Sequence, residues 1–302
     1  MLLSEVLSFQ QFDLIARKAM EGFITGLHKS PFHGFSVEFA EHRSYNEGES
    51  VRNLDWKLLA KTDKKYIKQF NEETNLKCHL WIDVSPSMTY PAPNFEKLKF
   101  GVLGAAAICN LLQNQRDAFG ISLFSENAVL SKTELKSTRL HLQNCLHILN
   151  PYWENSSDNK KPFSPLSQLA ESVKRRNMVV VFSDLLWNPS EAEQENAFWE
   201  TISMLKFQRC EVLLFHITHY EHEVLLNLPE DRPIKFIDLE SGDQLKLQPI
   251  EIQEAYQQFQ QKQTKLWEEK CLQLGIEYFL ADVSQPIETV INEFYIQRAK
   301  LS

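Results

Sequence analysis

The sequence predicts an α/β fold, a doubly wound and mostly parallel sheet flanked by helices. Short apolar runs alternate with longer segments of helical periodicity from about residue 78 to the end. This alternation is typical of parallel sheets, whose crossover connections are helices. We divide the chain into an N-terminal segment, residues 1–75, and an α/β domain, residues 76–302, which carries an inserted hairpin at about residues 221–249.

Apolar runs supply the predicted strands of this sheet, and the segments between them supply its helices. The run 127–132 is expected to return beside the second strand as an antiparallel edge, and a polar loop is expected at 153–165. The core strands are predicted at about 78–83, 118–125, 178–184, 211–217 and 275–283, and the helices at 94–115, 138–150, 166–176 and 190–206.

The inserted hairpin and the helix after it follow from turn chemistry and composition. Gly242-Asp243 separates the runs IKFIDLE and QLKLQPI, a strong hairpin signal. Residues 250–274, rich in Gln and Glu, predict a long helix with an exposed face. We place Leu266, Trp267 and Leu274 on its inner side.

A candidate metal motif follows the first predicted strand, where Asp83, Ser85 and Ser87 are spaced two residues apart. One carboxylate and two hydroxyls can converge there, and a purely oxygen donor set favours Mg²⁺ or Mn²⁺ over zinc or copper. The same residues are also common in turns and helix caps, so the motif alone leaves both interpretations open.

Two further residues are expected near this motif, because ligands of open α/β sheets collect at the carboxyl ends of strands. Asp184 ends the third core strand, and Ser164 precedes the helix at 166–176. The five residues predict one oxygen-rich site. His216, His219 and His222 are a poor alternative, since a strand ending near residue 217 would point their rings in different directions.

The motif Asp-x-Ser-x-Ser, with Asp184 after VVVFS, resembles the metal-ion-dependent adhesion site of von Willebrand factor A domains. Ser164 stands where that family usually has Thr, and Leu185 stands where many members have Gly. The resemblance implies a von Willebrand factor A-like fold. It also implies Mg²⁺ or Mn²⁺ held by Asp83, Ser85, Ser87, Ser164 and Asp184.

Residues 26–74 are similar to the bacterial family called domain of unknown function 58. With the adhesion-site motif, the resemblance covers about residues 26–220, and it departs at Glu49-Ser50, where the family tends to have two acidic residues. It implies an accessory role beside a MoxR-type AAA+ ATPase in assembly or activation of other proteins. The matching features are Gly34, Glu38-Phe39, Arg43-x-Tyr45, Gly48, Arg52, Asp55-Trp56, Lys68-x-Phe70 and Glu72-Glu73.

The N-terminal segment itself has a structural and a functional interpretation. Its aromatic residues can bury area while its arginines pair with carboxylates, which would make it a structural element. Alternatively, Arg43, Arg52 and Trp56 form a partner-binding surface.

Composition excludes several classes of protein. The net charge of −8 argues against a broad nucleic-acid surface, and no apolar run approaches the length of a membrane span. The chain begins with an amphipathic helical pattern rather than a signal peptide. Five cysteines, odd in number and far apart, indicate buried thiols in a reducing cytoplasm. We expect a cytoplasmic protein that meets the inner membrane only through partners.

The function predicted from these observations is a non-enzymatic, metal-ion-dependent protein-interaction module. A protein partner is expected to donate an acidic residue to the metal, and any ATP hydrolysis belongs to the partner ATPase, since the chain has no phosphate-binding loop motif. Two alternatives remain: a Mg²⁺-dependent phosphotransferase or hydrolase using Asp83 as nucleophile, and a metal-free scaffold. The absence of Asp-x-Asp and of G-x-S-x-G counts against the enzyme.

Overall fold

The computed structural model describes most of the chain from residue 76 onward and shorter segments before it. The described residues form two compact units, one between residues 30 and 76, the other containing residues 12–17 together with those from 77 onward. Arg52 and Trp56 lie outside the described residues. The described ranges are 12–17, 36–44, 58–59, 66–73, 76–126, 128–154, 164–186, 192–226, 233–237, 239 and 244–285.

The smaller unit contains an antiparallel pair of strands, β1 (Ser36–Ser44) and β2 (Tyr66–Glu73). Arg43 lies in β1, where its backbone pairs with Ile67. The register shifts between Phe39 and Glu41, the mark of a β-bulge. The predicted docking role of Arg43, Arg52 and Trp56 therefore stays a prediction.

The larger unit is built on a seven-stranded sheet in the order β11-β8-β7-β3-β4-β5-β6. Five neighbouring strands are parallel, while β5 and β6 form an antiparallel edge. The predicted mostly parallel sheet and its antiparallel return at 127–132 are confirmed. These strands and the hairpin β9–β10 are β3 (Lys77–Asp83), β4 (Ala118–Ser125), β5 (Ala128–Lys132), β6 (Ser164–Pro165), β7 (Met178–Ser183), β8 (Glu211–Thr218), β9 (Ile234–Ile237), β10 (Gln244–Leu247) and β11 (Glu277–Asp282).

Among the elements whose bounds the structure describes, five α-helices flank this sheet. The N-terminus of α2 is capped by Thr138, whose side chain accepts a hydrogen bond from the backbone N–H of His141 at 3.2 Å. The predicted helix 166–176 is shorter in the structure, because Val173 already has extended backbone angles. The helices are α1 (Glu96–Asn114), α2 (Arg139–Trp153), α3 (Leu166–Ser172), α4 (Ala192–Phe207) and α5 (Pro249–Leu274).

One face of the sheet is covered by α1, which is buried along almost its whole length. The helix lies close to the strands because it has glycines where it crosses them. A Cβ atom on Gly104 would lie 2.8 Å from the ring of Phe182. That ring stacks on Phe215 at 4.9 Å between centroids, so it has little room to withdraw. This close approach brings the N-terminal end of α1 to the carboxyl ends of β3 and β7.

The other face is covered by α3, α4 and α5, whose apolar residues join Trp81 of β3 in one core cluster. In α5, Trp267 and Cys271 are buried in this cluster and Leu274 packs against it. The prediction that Leu266 also faces inward is wrong, since its side chain is 47% exposed. The positions of α5 that face the core are Trp267, Cys271 and Leu274, at spacings of four and three residues. Leu266 is rotated about the helix axis by about 100° from Trp267, so it points away from the core.

The predicted hairpin is present over a narrower range than 221–249. Strands β9 and β10 pair antiparallel, with Leu247 opposite Ile234, while Tyr220–Val224 form a π-helical turn directly after β8. The turn residues Gly242 and Asp243 lie outside the described residues.

Two compositional predictions can be compared with the structure. All five cysteines are buried and none forms a disulfide. Among the residues that the structure describes, no helix combines the length and the apolar character that crossing a bilayer requires.

Candidate functional site at the carboxyl ends of β3 and β7

The strand order reverses between β3 and β7, and this reversal positions the candidate site. From β3 the chain continues through α1 to β4 on one side, whereas from β7 it continues through α4 to β8 on the other. Such a switch point leaves a crevice outside the carboxyl ends of the two strands. Asp83 is the last residue of β3, and Asp184 directly follows β7. The topology therefore brings together two carboxylates that lie far apart in sequence.

Asp83 is held in place by two hydrogen bonds. Its Oδ1 atom accepts one from the backbone N–H of Ser85 at 2.9 Å, and its Oδ2 atom accepts another from Ser183 Oγ at 2.7 Å. Asp83 thus does order the turn that follows it, as the capping interpretation proposed. Ser183, which sequence analysis did not single out, is a positioning residue for the carboxylate.

The hydroxyls of the motif lie together beside this carboxylate. Ser85 Oγ and Ser87 Oγ are 3.0 Å apart, and Ser85 is buried. Ser85 precedes the 3-10 turn Pro86–Thr89 but makes no side-chain capping hydrogen bond to it. The hydroxyl of Ser85 is therefore not used as a helix cap; it contacts the Ser87 hydroxyl and lies next to Asp83.

Asp184 is fixed by its own loop and by a lysine. Its Oδ1 atom accepts a hydrogen bond from the backbone N–H of Leu186 at 3.1 Å, and its Oδ2 atom accepts one from Lys97 Nζ at 2.8 Å. Leu185, which lies between Asp184 and Leu186 in the chain, has φ 55°, a left-handed conformation that favours glycine. The loop thus keeps a backbone shape suited to Gly although Leu occupies the position.

Lys97, in the first turn of α1, is the functional residue that sequence analysis missed. Its side chain has no exposed surface, and its ammonium donates hydrogen bonds to Asp184 and Glu223. Burial by itself lowers the pKa of Lys97, but the two carboxylates outweigh this effect and raise it above its ordinary value. The lysine is accordingly charged at neutral pH. The available sequence signal was a pair of lysines, Lys97 and Lys99, at the start of a largely apolar helical run.

Glu223 reaches this lysine from the π-helical turn after β8. Its Oε2 atom accepts hydrogen bonds from the backbone N–H of His219 at 2.9 Å and from Thr218 Oγ at 3.3 Å. These bonds leave its Oε1 atom for Lys97. Lys97 and Glu223 are 126 residues apart in sequence, and their contact brings the π-helical turn into the site.

The charges at the site are not balanced. Burial and the nearby charge of Asp184 raise the pKa of Asp83 from 3.8 to about 7, and the hydrogen bonds from Ser183 and Ser85 offset this only in part. Asp184 and Glu223 share one ammonium, that of Lys97, and Asp83 adds a third carboxylate close to Asp184. When all are ionised, two negative charges remain uncompensated.

Ser164 is the one predicted site residue that the structure places apart from these contacts. It lies in β6 and pairs with Val129 of β5. The strand register aligns Asp83, Phe124, Val129 and Ser164 in one row across four strands. Ser164 is thus at the same edge of the sheet as Asp83 but three strands along, and its role as a metal ligand stays a prediction.

The histidines near the end of β8 have separate surroundings. His216 is buried with Nδ1 2.6 Å from the hydroxyl of Tyr278, and burial lowers its pKa to about 4. His219 Nε2 lies 3.4 Å from a carboxylate oxygen of Glu96, and the rings of His219 and His222 are 4.3 Å apart. Across the described part of the chain, no three His, Cys, Asp or Glu side chains are arranged to hold a metal.

Comparison with known proteins identifies the family. A family model described as "Protein of unknown function DUF58" matches residues 41–266, a region that contains Asp83, Lys97, Asp184 and Glu223. The chain belongs to the DUF58 family. The resemblance to this family that was predicted from sequence is therefore confirmed.

Curated relatives of this DUF58 protein are found in mycobacteria. The uncharacterised proteins Mb1516 of Mycobacterium bovis and Rv1480 of Mycobacterium tuberculosis are each 24% identical to it over 180 residues. These matches cover 59% of this chain and 56% of each relative. The chain thus spans about half the length of the curated relatives it matches.

Proposed function

We propose that this DUF58 protein is a non-enzymatic, metal-ion-dependent protein-interaction module with a von Willebrand factor A-like domain. Asp83, Ser85 and Ser87 would hold Mg²⁺ or Mn²⁺, and an acidic residue of a protein partner would complete the coordination. The observation that carries the proposal is the buried carboxylate of Asp83, beside two hydroxyl oxygens and with its pKa raised to about 7. Burial and the nearby charge of Asp184 produce this shift, and a divalent cation bound to the carboxylate would offset both.

The charge of the site supports a divalent rather than a monovalent cation. Two uncompensated negative charges in a buried cluster are costly, and one doubly charged ion neutralises them. The donors are carboxylate and hydroxyl oxygens, which suit Mg²⁺ and Mn²⁺. The residues present therefore fit the metal that the sequence pattern implies.

The position of the site in the fold supports the von Willebrand factor A-like assignment. The Asp-x-Ser-x-Ser motif follows a central strand, Asp184 follows its neighbour, and an antiparallel strand lies beyond β4. This arrangement is the one implied by the resemblance stated above.

The surroundings of Asp83 favour binding over nucleophilic catalysis. Both of its oxygens already accept hydrogen bonds, from Ser85 and Ser183. The neighbouring acid, Asp184, is engaged by Lys97 and Leu186, so it is poorly placed to act as a general acid. The phosphotransferase alternative would need an adjacent proton donor, which Asp184, held by Lys97 and Leu186, does not supply.

We further propose that the partner is a MoxR-type AAA+ ATPase, in assembly or activation of other proteins. The protein would act in the cytoplasm and meet the inner membrane only through its partners. Arg43, Arg52 and Trp56 are a second proposed contact surface, independent of the metal.

Complex formation with such an ATPase is expected to depend on the metal. Size-exclusion chromatography with a MoxR-type ATPase from the same genome should show a joint peak in Mg²⁺, lost on addition of a chelator. Asp83→Ala should abolish the peak, because it removes the only carboxylate of the Asp-x-Ser-x-Ser motif. The matched control is Glu134→Ala, which removes an exposed carboxylate that follows β5. A complex indifferent to chelator and to Asp83→Ala would contradict the proposal.

A further inference from the structure

We propose that Lys97 and Glu223 are a buried charge pair that sets the affinity of the Asp83 site for a divalent cation. Neither residue is a ligand in this account. Lys97 engages Asp184, so that Asp83 is left as the carboxylate that contacts the ion, and Glu223 holds Lys97 in that position. The inference rests on the proposed function, since it concerns how tightly the metal is bound.

The geometry fixes Lys97 from two sides. Its ammonium lies 2.8 Å from Asp184 and also donates to Glu223, and its side chain and that of Asp184 are 0% and 1% exposed. Moving the ammonium away would leave two carboxylates without a counter-ion in a low-dielectric environment. Lys97 is therefore a permanent cation of the site.

Glu223 is equally constrained. The backbone N–H of His219 and the hydroxyl of Thr218 bind its Oε2 atom, which directs Oε1 at Lys97. Its side chain is 13% exposed, so solvent screens its charge only weakly. The carboxylate therefore adds a fixed negative charge to the cluster without touching the Asp-x-Ser-x-Ser motif.

These fixed charges act on the metal through the electrostatic field of the cluster. Asp184, which contacts Lys97, is also close enough to Asp83 that its charge adds to the effect of burial in raising the pKa of Asp83. Removing the positive charge of Lys97 should strengthen attraction for a divalent cation, and removing the negative charge of Glu223 should weaken it. A residue with only a structural role would weaken binding in both cases. The opposite signs distinguish the two explanations.

Calorimetric titration of Mg²⁺ alone at about pH 8, where Asp83 is ionised, tests the inference. We expect Glu223→Gln to bind at least about tenfold more weakly than wild type and Lys97→Met at least about tenfold more tightly. Glu221→Gln is the matched control, because this exposed residue of the same turn should stay within about twofold.

Binding by wild type with both variants shifted in the same direction, or with both equal to Glu221→Gln, would overturn the charge role and leave the proposed metal site standing. No binding by wild type would overturn the proposed function and this inference with it. If Lys97→Met does not fold, the double variant Lys97→Met/Glu223→Gln replaces it. The inference predicts that the double variant binds Mg²⁺ more tightly than Glu223→Gln alone, whereas equal or weaker binding would overturn it.

Discussion

Replacing Lys97 by Met is expected to lower the free energy of unfolding by about 3–5 kcal/mol. Met keeps most of the apolar volume of the side chain but removes the ammonium. Asp184 and Glu223 would then be left buried without the cation that both contact. Urea unfolding in metal-free buffer measures the loss.

A nearby lysine provides the control for this substitution. Lys99 is in the same helix, two residues away, and is half-buried without the double ion pair. Lys99→Met should change the free energy of unfolding by about 0.5 kcal/mol or less. Adding Glu223→Gln to Lys97→Met should recover part of the loss, because one uncompensated charge is removed. Equal losses for Lys97→Met and Lys99→Met would contradict the structural account of the ion pair.

Replacing Asp83 by Asn is expected to make the metal-free protein more stable at alkaline pH. The pKa of Asp83 is about 7 in the folded protein and near 3.8 when unfolded. Between these values the folded state binds more protons, so the contribution of Asp83 to stability is fully present below about pH 4. It is lost as pH rises through about 7. The loss amounts to about 4 kcal/mol at most.

Asparagine cannot ionise, so the substitution Asp83→Asn removes this pH dependence. Thermal unfolding of both proteins between about pH 5 and 8, without and then with Mg²⁺, measures the effect. Without metal, the variant should melt higher than wild type at the upper end. With Mg²⁺ the order should reverse, because only wild type gains binding energy in the folded state. A difference in stability between wild type and Asp83→Asn that stays constant over these pH values in the absence of metal would contradict the raised pKa.

The sequence was sufficient for the central sheet because its strands are short, apolar and separated by helical segments of clear periodicity. The run 118–125 corresponds to β4 residue for residue, and the all-round apolar run 94–115 contains the buried helix α1. Strand β6 was not predicted, since its two residues, Ser164 and Pro165, are too few to show a period. Leu266 was misplaced because an apolar residue next to Trp267 carries no information about which of the two faces the core.

The Asp83 motif and Asp184 could be predicted from the sequence, whereas Lys97, Glu223 and Ser183 could not. Asp83, Ser85 and Ser87 are adjacent in the chain, and Asp184 follows an apolar strand, so local pattern was enough. The ion pair between Lys97 and Glu223 connects the start of α1 to a π-helical turn. Local sequence patterns cannot predict a contact between residues so far apart in the chain. Ser183 is the last residue of β7, and a serine within an apolar strand gives no sequence signal that it contacts Asp83.

The central claim is that Asp83 holds a divalent cation, and calorimetric titration of Mg²⁺ and Mn²⁺ into the metal-stripped protein tests it most directly. Wild type should bind about one ion per chain, and Asp83→Ala, titrated under the same conditions, should bind none. Absence of binding by wild type, or equal binding by both proteins, would contradict the claim. The carboxylate and hydroxyls at the end of β3 would then be turn-forming groups only.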